Sequence, residues 1–305
     1  MELKYIFYVL LILSLTSCSK EAELEPSNAK ENYFAADPNA TDEESVLKRS
    51  FYASEKSYLL FNDTLSNVAL GKDANGVMQY NTNLLDITYD VTGVDANLRY
   101  SYDYLSTTTS KKRAVEIVNN YLMGHLSGNL RPYAILLVSK IRKYNKSTYT
   151  YTYASEERYV SGKWGIVLSV DGFDTMTETQ IVTAVKNTLV AIVSSRVVAM
   201  SDAVLKGFYD PVGGVFDAAT PLKTTTVAAN LEQLKKLGYI TSNKIYVVIT
   251  ILNKYPTKAD DMSSFLDLLL NSTEAQVNAN YGAYPIVMQR YNALQKLIVD
   301  IGYVF

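Results

Sequence analysis

Few side chains of this chain could take part in covalent or metal-dependent chemistry, because its 305 residues include one histidine and one cysteine. Zinc sites and Cys/His catalysis draw on several such residues, so the composition excludes most of them. The histidine, His125, follows a predicted helix in the run Met-Gly-His-Leu-Ser-Gly. At the end of a helix a histidine ordinarily interacts with the terminal carbonyl groups. We therefore expect a structural role for His125, with catalysis as the alternative.

The motifs of common active sites do not occur in the sequence. It has no Gly-x-Ser-x-Gly turn, no phosphate-binding glycine loop and no dinucleotide-binding glycine motif. Asp260 and Asp261 begin a predicted helix, where carboxylates ordinarily complement the helix dipole. They could alternatively be the relic of a site. Paired carboxylates for glycoside hydrolysis also stay open, since the chain has 31 Asp and Glu residues.

Tyrosine is unusually abundant, with 25 residues against nine Phe and one Trp. Tyr149, Tyr151 and Tyr153 alternate with threonines, which predicts a strand with the three rings on one face. Such a row could stack on sugar rings or line a peptide groove, although cross-strand packing is its commoner use. Together with Trp164, these tyrosines are the candidate ligand-binding surface for a peptide or glycan.

Cys18 lies at the end of a signal-like N-terminus. Lys4 precedes the apolar run 5–15, which is too short to span a bilayer and has the length of a signal-peptide core. The run ends in Leu-Thr-Ser-Cys, which looks like a bacterial lipobox, so residues 1–17 are the expected signal peptide and Cys18 the expected lipidation site. A signal peptide with an incidental cysteine is the alternative.

The residues after Cys18 indicate a location. Ser-Lys-Glu-Ala-Glu is similar to the acidic signal that sends Bacteroidetes-type lipoproteins to the outer face of the outer membrane. We therefore expect a cell-surface lipoprotein that is anchored in outer-membrane lipid through Cys18. Residues 18–40 are polar, and they predict a flexible tether. The net charge of −2 gives no excess of positive charge, which excludes nucleic acid as a partner.

The folded part is expected over residues 41–305, beginning with a capping box at Thr41 to Glu44. Strand patterns occur only in its first half, and the second half reads as helical. The fold class is therefore α+β, with a mixed sheet and helices in residues 41–175 and a mainly helical part in 176–305; one domain or two lobes stays open. Strands are predicted near residues 58–61, 85–91, 134–138, 148–153 and 164–170, and helices over 41–57, 107–126, 178–205, 227–237, 242–254, 259–271 and 284–301.

The order and spacing of these landmarks resemble a family of lipoproteins encoded with TonB-dependent, SusD-type nutrient import systems. The family comprises zinc-binding metallopeptidases, also described as substrate-import-associated zinc metallohydrolases. The resemblance covers most of residues 41–305 and implies a zincin-like fold, with the TonB-dependent transporter and SusD-type proteins as partners. Its landmarks are Tyr58 to Asp63, Arg131 to Val138, Gly165 to Leu168, a buried helix, Leu237 to Ile240, an acidic helix start and a long C-terminal helix.

In that family the buried helix carries His-Glu-x-x-His, whose histidines hold zinc while the glutamate activates water. The equivalent stretch, 191–200, has Ser194 and Val198 at the histidine positions and Ser195 at the glutamate position. Asp260 and Asp261 match the start of the family's downstream acidic motif. The resemblance therefore implies a pseudo-metallopeptidase with no catalytic residue, metal or cofactor. Apolar residues surround this helix in the sequence, which predicts burial on several sides. Arg196 is expected either to extend to the surface or to pair with one of the two aspartates.

Three functions are compatible with the sequence. The first is a non-catalytic surface lipoprotein that assists nutrient uptake by binding a peptide, a glycan or the transporter complex. The second is an active hydrolase that uses carboxylates, His125 or an oxygen-ligated metal. The third is a purely structural surface protein. The single histidine favours the first over the second, since a zinc peptidase needs several imidazoles.

Overall fold

The computed structural model of the protein describes residues 32–90, 93–219, 227–247 and 250–305. The expected signal peptide and Cys18 lie outside these residues. The chain divides into two compact units, Met1–Tyr33 and Phe34–Phe305, and all of the elements described below belong to the second. This unit begins seven residues earlier than the boundary at 41 that the sequence predicts. The reason is local packing: the Arg49 guanidinium donates to the Asp37 and Ala40 carbonyls.

A six-stranded mixed sheet lies at the centre of the unit, and its longest strand, β7 (Ala134–Lys146), changes partners along its length. Its first half pairs in parallel with β1 (Tyr58–Leu60) and β10 (Gly165–Ser169). Its second half pairs antiparallel with β6 (Leu98–Tyr104) and β8 (Tyr151–Glu157). The first half is fully buried, as its continuous apolar sequence predicts for a strand covered on both faces.

One face of the sheet packs against helices, and the other is covered by a connecting segment. Ile135 and Leu137 of β7 join the helical core, whereas Leu136 and Val138 face the opposite side with Leu85. The helices are α1 (Glu43–Glu55), α2 (Thr108–Tyr121), α3 (Glu178–Val198), α4 (Lys206–Tyr209), α5 (Val227–Lys236), α6 (Lys258–Asn271), α7 (Glu274–Tyr281) and α8 (Pro285–Asp300), with 3-10 turns at Met123–His125, Gly128–Leu130 and Asp210–Val212.

The remaining strands form the edge of the sheet and three small hairpins. Strand β9 (Tyr159–Gly162) pairs antiparallel with β10 and is the last strand of the path β1-β7-β10-β9. The hairpins are β2 (Thr64–Lys72) with β3 (Met78–Leu84), β4 (Tyr89–Asp90) with β5 (Gly93–Val94), and β11 (Asn243–Val247) with β12 (Thr250–Lys254).

The α+β class is confirmed, but several local predictions are wrong. A helix was predicted over 242–254, but Asn243–Val247 and Thr250–Lys254 form the antiparallel pair β11–β12, because their β-branched residues favour extended backbone. The β2–β3 hairpin lies between the strands predicted near 58–61 and 85–91, where the sequence predicts no strand. Leu85 and Ile87 are buried as their alternation predicts, yet they lie outside any strand. Asp42, rather than Thr41, caps α1 by accepting from Ser45 N–H at 2.9 Å.

Candidate functional site

Helix α3 carries the positions that the zincin resemblance assigns to the metal-binding motif. It begins with a capping box between Thr177 and Gln180. Its buried residues form one stripe at helical spacing, and among the described residues it is the one helix long and apolar enough to cross a membrane. Because that stripe belongs to the helical core, α3 is a core helix in this fold. The buried residues are Ile181, Val185, Thr188, Leu189, Ile192, Val193 and Val197.

Burial of α3 on several sides was predicted wrongly, because its motif residues face outward. Val198 is 64% exposed, Ser195 is exposed and Ser194 is half-buried. Ser194 and Val198 are four residues apart and share one helix face. Neither the hydroxyl of Ser194 nor the side chain of Val198 is a zinc ligand in the usual set. The zinc that the resemblance implies for the family therefore does not fit these residues.

A cleft of about 150 Å³ lies between α3 and the edge strand β9. Tyr159 and Ser161 of β9 face Ser195 and Arg196 of α3 across it. Burial raises the pKa of Tyr159, whereas hydrogen bonding with Ser161 and Ser195 and the positive charge of Arg196 act in the opposite direction. The Tyr159 hydroxyl therefore stays protonated at neutral pH and can donate a hydrogen bond. The cleft offers donors and one cation but no general base.

The backbone of β9 has hydrogen-bonding groups that point away from the sheet. Ser169 N–H donates to Arg158 O at 2.9 Å, and bonded positions alternate along an antiparallel pair. Val160 and Gly162 therefore bond to β10, while the N–H and C=O groups of Tyr159 and Ser161 point to the opposite edge. Among the described residues, no strand pairs with that edge. An extended peptide could add there as a further strand.

The two aspartates of the acidic motif have separate roles. Asp260 accepts hydrogen bonds from Thr257 Oγ1 at 2.7 Å and from Asn243 Nδ2 at 2.9 Å, and both bonds lower its pKa. Asp261 is fully buried and forms an ion pair with Arg290. The predicted pairing of Arg196 with one of these aspartates is wrong. Arg196 has no ion pair within the described part of the chain.

His125 holds the C-terminal segment. Its Nδ1 lies 2.8 Å from Val304 O, and its carbonyl accepts from Val304 N–H at 3.0 Å. Its ring also stacks on Tyr303, with the ring centroids 5.9 Å apart. These contacts commit the imidazole to packing, in the region where Leu126 bridges to Tyr303.

The predicted tyrosine row is only partly a strand. Tyr149 lies in the turn before β8 and is 93% exposed. Tyr151 donates to Ala96 O at 2.8 Å, and Tyr153 packs edge-on against Tyr144 across the β7–β8 pair. Strand β8 begins at Tyr151, so the predicted start at residue 148 is three residues too early. The structure does not join these rings to Trp164, which lies in the turn between β9 and β10.

Sequence reasoning missed β9, because four residues with a single Val carry little periodic signal. It also missed that Trp164 lies near Phe34 and Tyr133, because the three rings come from positions far apart in the chain. Among the described residues, no cluster of three or more His, Cys, Asp or Glu side chains that could hold a metal ion is present. Comparisons with protein-family models, curated proteins and solved structures find no match for this chain.

Proposed function

We propose that the protein is a lipid-anchored, surface-exposed accessory of a TonB-dependent nutrient uptake system, and that it binds extended peptides without hydrolysing them. The observation that carries the proposal is the open edge of β9 beside the α3 cleft. Ser195 lines this cleft, and the sequence resemblance assigns to it the position of the family's catalytic glutamate. The zincin-like interpretation of the α+β fold is part of the same proposal.

Hydrogen bonds between the backbone of β9 and the backbone of the peptide supply the affinity. The outward N–H and C=O groups of Tyr159 and Ser161 match the spacing of one extended peptide, which needs no particular side chain to pair with them. Such binding survives the loss of metal ligands and of a catalytic base. A scaffold that once positioned a peptide for hydrolysis would keep its binding edge.

Arg196 gives the cleft a preference for ligands that carry a carboxylate. It lines the same cavity as Tyr159 and Ser195 and has no ion pair among the described residues. A guanidinium of this kind forms bidentate hydrogen bonds with carboxylates. We therefore expect the cleft to favour peptides with an acidic side chain, or a terminal carboxylate, at the position that reaches Arg196.

The lipid anchor and the uptake partners are supported by the sequence. The lipobox around Cys18 and the acidic residues that follow it support surface attachment. Order and spacing of the landmarks support association with TonB-dependent and SusD-type proteins. A surface lipoprotein that holds peptides would raise their local concentration near a transporter.

The test uses one substitution that should prevent a peptide from pairing with β9 while the protein still folds. Ser161→Pro removes an N–H that faces outward, and proline is tolerated at such edge positions. Ser161→Ala removes the hydroxyl but keeps the N–H, so it is the matched control. Casein-derived peptides are incubated with each immobilised protein, and retained and cleaved peptides are identified by mass spectrometry. The wild type and Ser161→Ala should retain uncleaved peptides, and Ser161→Pro should not. Cleavage by wild type, or equal retention by both variants, contradicts the proposal.

A further inference from the structure

Five aromatic rings form one cluster at the amino ends of three parallel strands of the central sheet. Three of them come from the start of parallel strands: Tyr58 begins β1, Tyr133 precedes β7 and Trp164 precedes β10. Ala134 of β7 pairs with both Tyr58 and Gly165, so this register places the three rings side by side. We call the cluster the aromatic surface; it comprises Phe34, Tyr52, Tyr58, Tyr133 and Trp164.

The rings contact one another closely and still face solvent. Tyr52 stacks on Tyr58 with ring centroids 4.4 Å apart, and Tyr58 meets Tyr133 at 5.0 Å. Tyr133 and Trp164 are 6.5 Å apart. Tyr52, Tyr133 and Trp164 nevertheless keep 39%, 46% and 43% of their surface exposed. An exposed group of large rings of this kind is a feature of interaction surfaces.

An apolar groove of about 380 Å³ extends the aromatic surface. Phe34 and Trp164 line it together with Leu65, Leu84 and Leu85, with Asp86 as its acidic residue. Two lysines lie over rings of the aromatic surface. Lys163 Nζ is 5.4 Å from the centroid of the Trp164 ring, and Lys56 Nζ is 6.0 Å from that of Tyr52. Amphipathic Trp and Tyr rings with neighbouring lysines are characteristic of the membrane–water interface.

The path of the chain identifies the occupant of this surface. Phe34, the first residue of the compact unit, belongs to the aromatic surface. It follows Cys18 by sixteen residues. Sixteen residues span at most about 55 Å even when fully extended. A lipid on Cys18 would therefore hold the membrane within reach of the aromatic surface.

We propose that the aromatic surface and its groove dock onto the interfacial region of the lipid bilayer. This inference rests on the lipid anchor in the proposed function. Docking would orient the unit with the amino ends of β1, β7 and β10 towards the membrane. Because a lipid on a chain segment outside the folded unit does not by itself orient that unit, a second contact of this kind fixes which face is presented outward.

The sequence supplies a reporter for the test, because Trp164 is the only tryptophan. The mature chain carrying Cys18→Ser is mixed with phosphatidylcholine vesicles that contain some phosphatidylglycerol, with and without brominated acyl chains. Docking predicts a blue shift of Trp164 emission and quenching by the brominated lipid. Replacing Tyr52 and Tyr133 by Ser should weaken partitioning by about tenfold.

The control replaces two exposed tyrosines outside the aromatic surface, Tyr149 and Tyr153, by Ser and should leave partitioning unchanged. Thermal unfolding of each variant establishes that it is folded. No emission change with vesicles, or equal partitioning of the two double variants, overturns the proposal. An emission change with soluble oligosaccharides but not with vesicles also overturns it and identifies a glycan surface instead. Peptide retention by the Ser161 variants is measured separately, so failure of docking is distinguishable from failure of the proposed function.

Discussion

Asp261 of α6 and Arg290 of α8 form an ion pair in which both side chains are fully buried. The guanidinium contacts both carboxylate oxygens, one of them at 3.3 Å, and also donates to the Phe208 and Gly238 carbonyls. Burial raises the pKa of Asp261, and the contact with Arg290 opposes that rise. Asp261 is thus occupied in joining two helices, and it has no free oxygen to serve as a metal ligand or base.

Removing one partner of this ion pair should lower the free energy of unfolding substantially. Asp261→Asn leaves the Arg290 charge buried without its counter-charge, which is expected to lower the free energy of unfolding by about 3–5 kcal/mol. Asp267→Asn, an exposed change on the same helix, should alter it by less than about 0.5 kcal/mol. Urea unfolding measures both values. Similar values for the two variants would show that the buried pair does not stabilise the fold.

His125 should prove to be structural. His125→Ala removes the bond to Val304 O and the stack on Tyr303, which should lower the free energy of unfolding by about 1 kcal/mol. Hydrogen exchange should become faster in the residues around Val304, while peptide retention stays unchanged. Lost retention in a variant of unchanged stability would instead give His125 a direct part in binding.

Introducing imidazoles on α3 should create a metal site. Ser194→His with Val198→His places two ligands one helical turn apart on an accessible face. The double variant should retain zinc after desalting, as measured by elemental analysis, and either single variant should retain much less. About one zinc per wild-type chain would refute the degenerate-motif interpretation.

The free energy of unfolding should fall in acid, in part because carboxylates such as Asp103 become protonated. Two hydrogen bonds from Arg142, at 2.5 and 2.6 Å, lower the pKa of Asp103 from its ordinary value of 3.8. A lowered folded-state pKa gives stability that is present above the ordinary value and is lost as the pH falls through the lowered one. Asp103→Asn should therefore flatten the acid limb of unfolding free energy against pH. An unchanged limb would exclude Asp103 from the acid response.

The sequence predicted the elements with strong periodic patterns and missed those that depend on tertiary contacts. The strand predicted at the continuous apolar run from Ala134 is confirmed, and so is the helix that begins just before Asp260 and Asp261. The partner of Asp261 could not be found, because Arg290 is distant in the chain and looks like an ordinary helical arginine. The Tyr159 edge was missed for the same reason, since its significance comes from β10 and α3 beside it.

Pairing of a peptide with the outer edge of β9 can be observed at the amides of that strand. The most direct measurement is residue-resolved amide hydrogen exchange, by NMR, with and without a peptide retained from the casein pool. Peptide addition should slow the exchange of the Tyr159 and Ser161 amides with solvent. The amides of Val160 and Gly162 should exchange slowly even without peptide, because they bond to β10. Peptide binding that leaves the Tyr159 and Ser161 amides unprotected would contradict pairing at this edge.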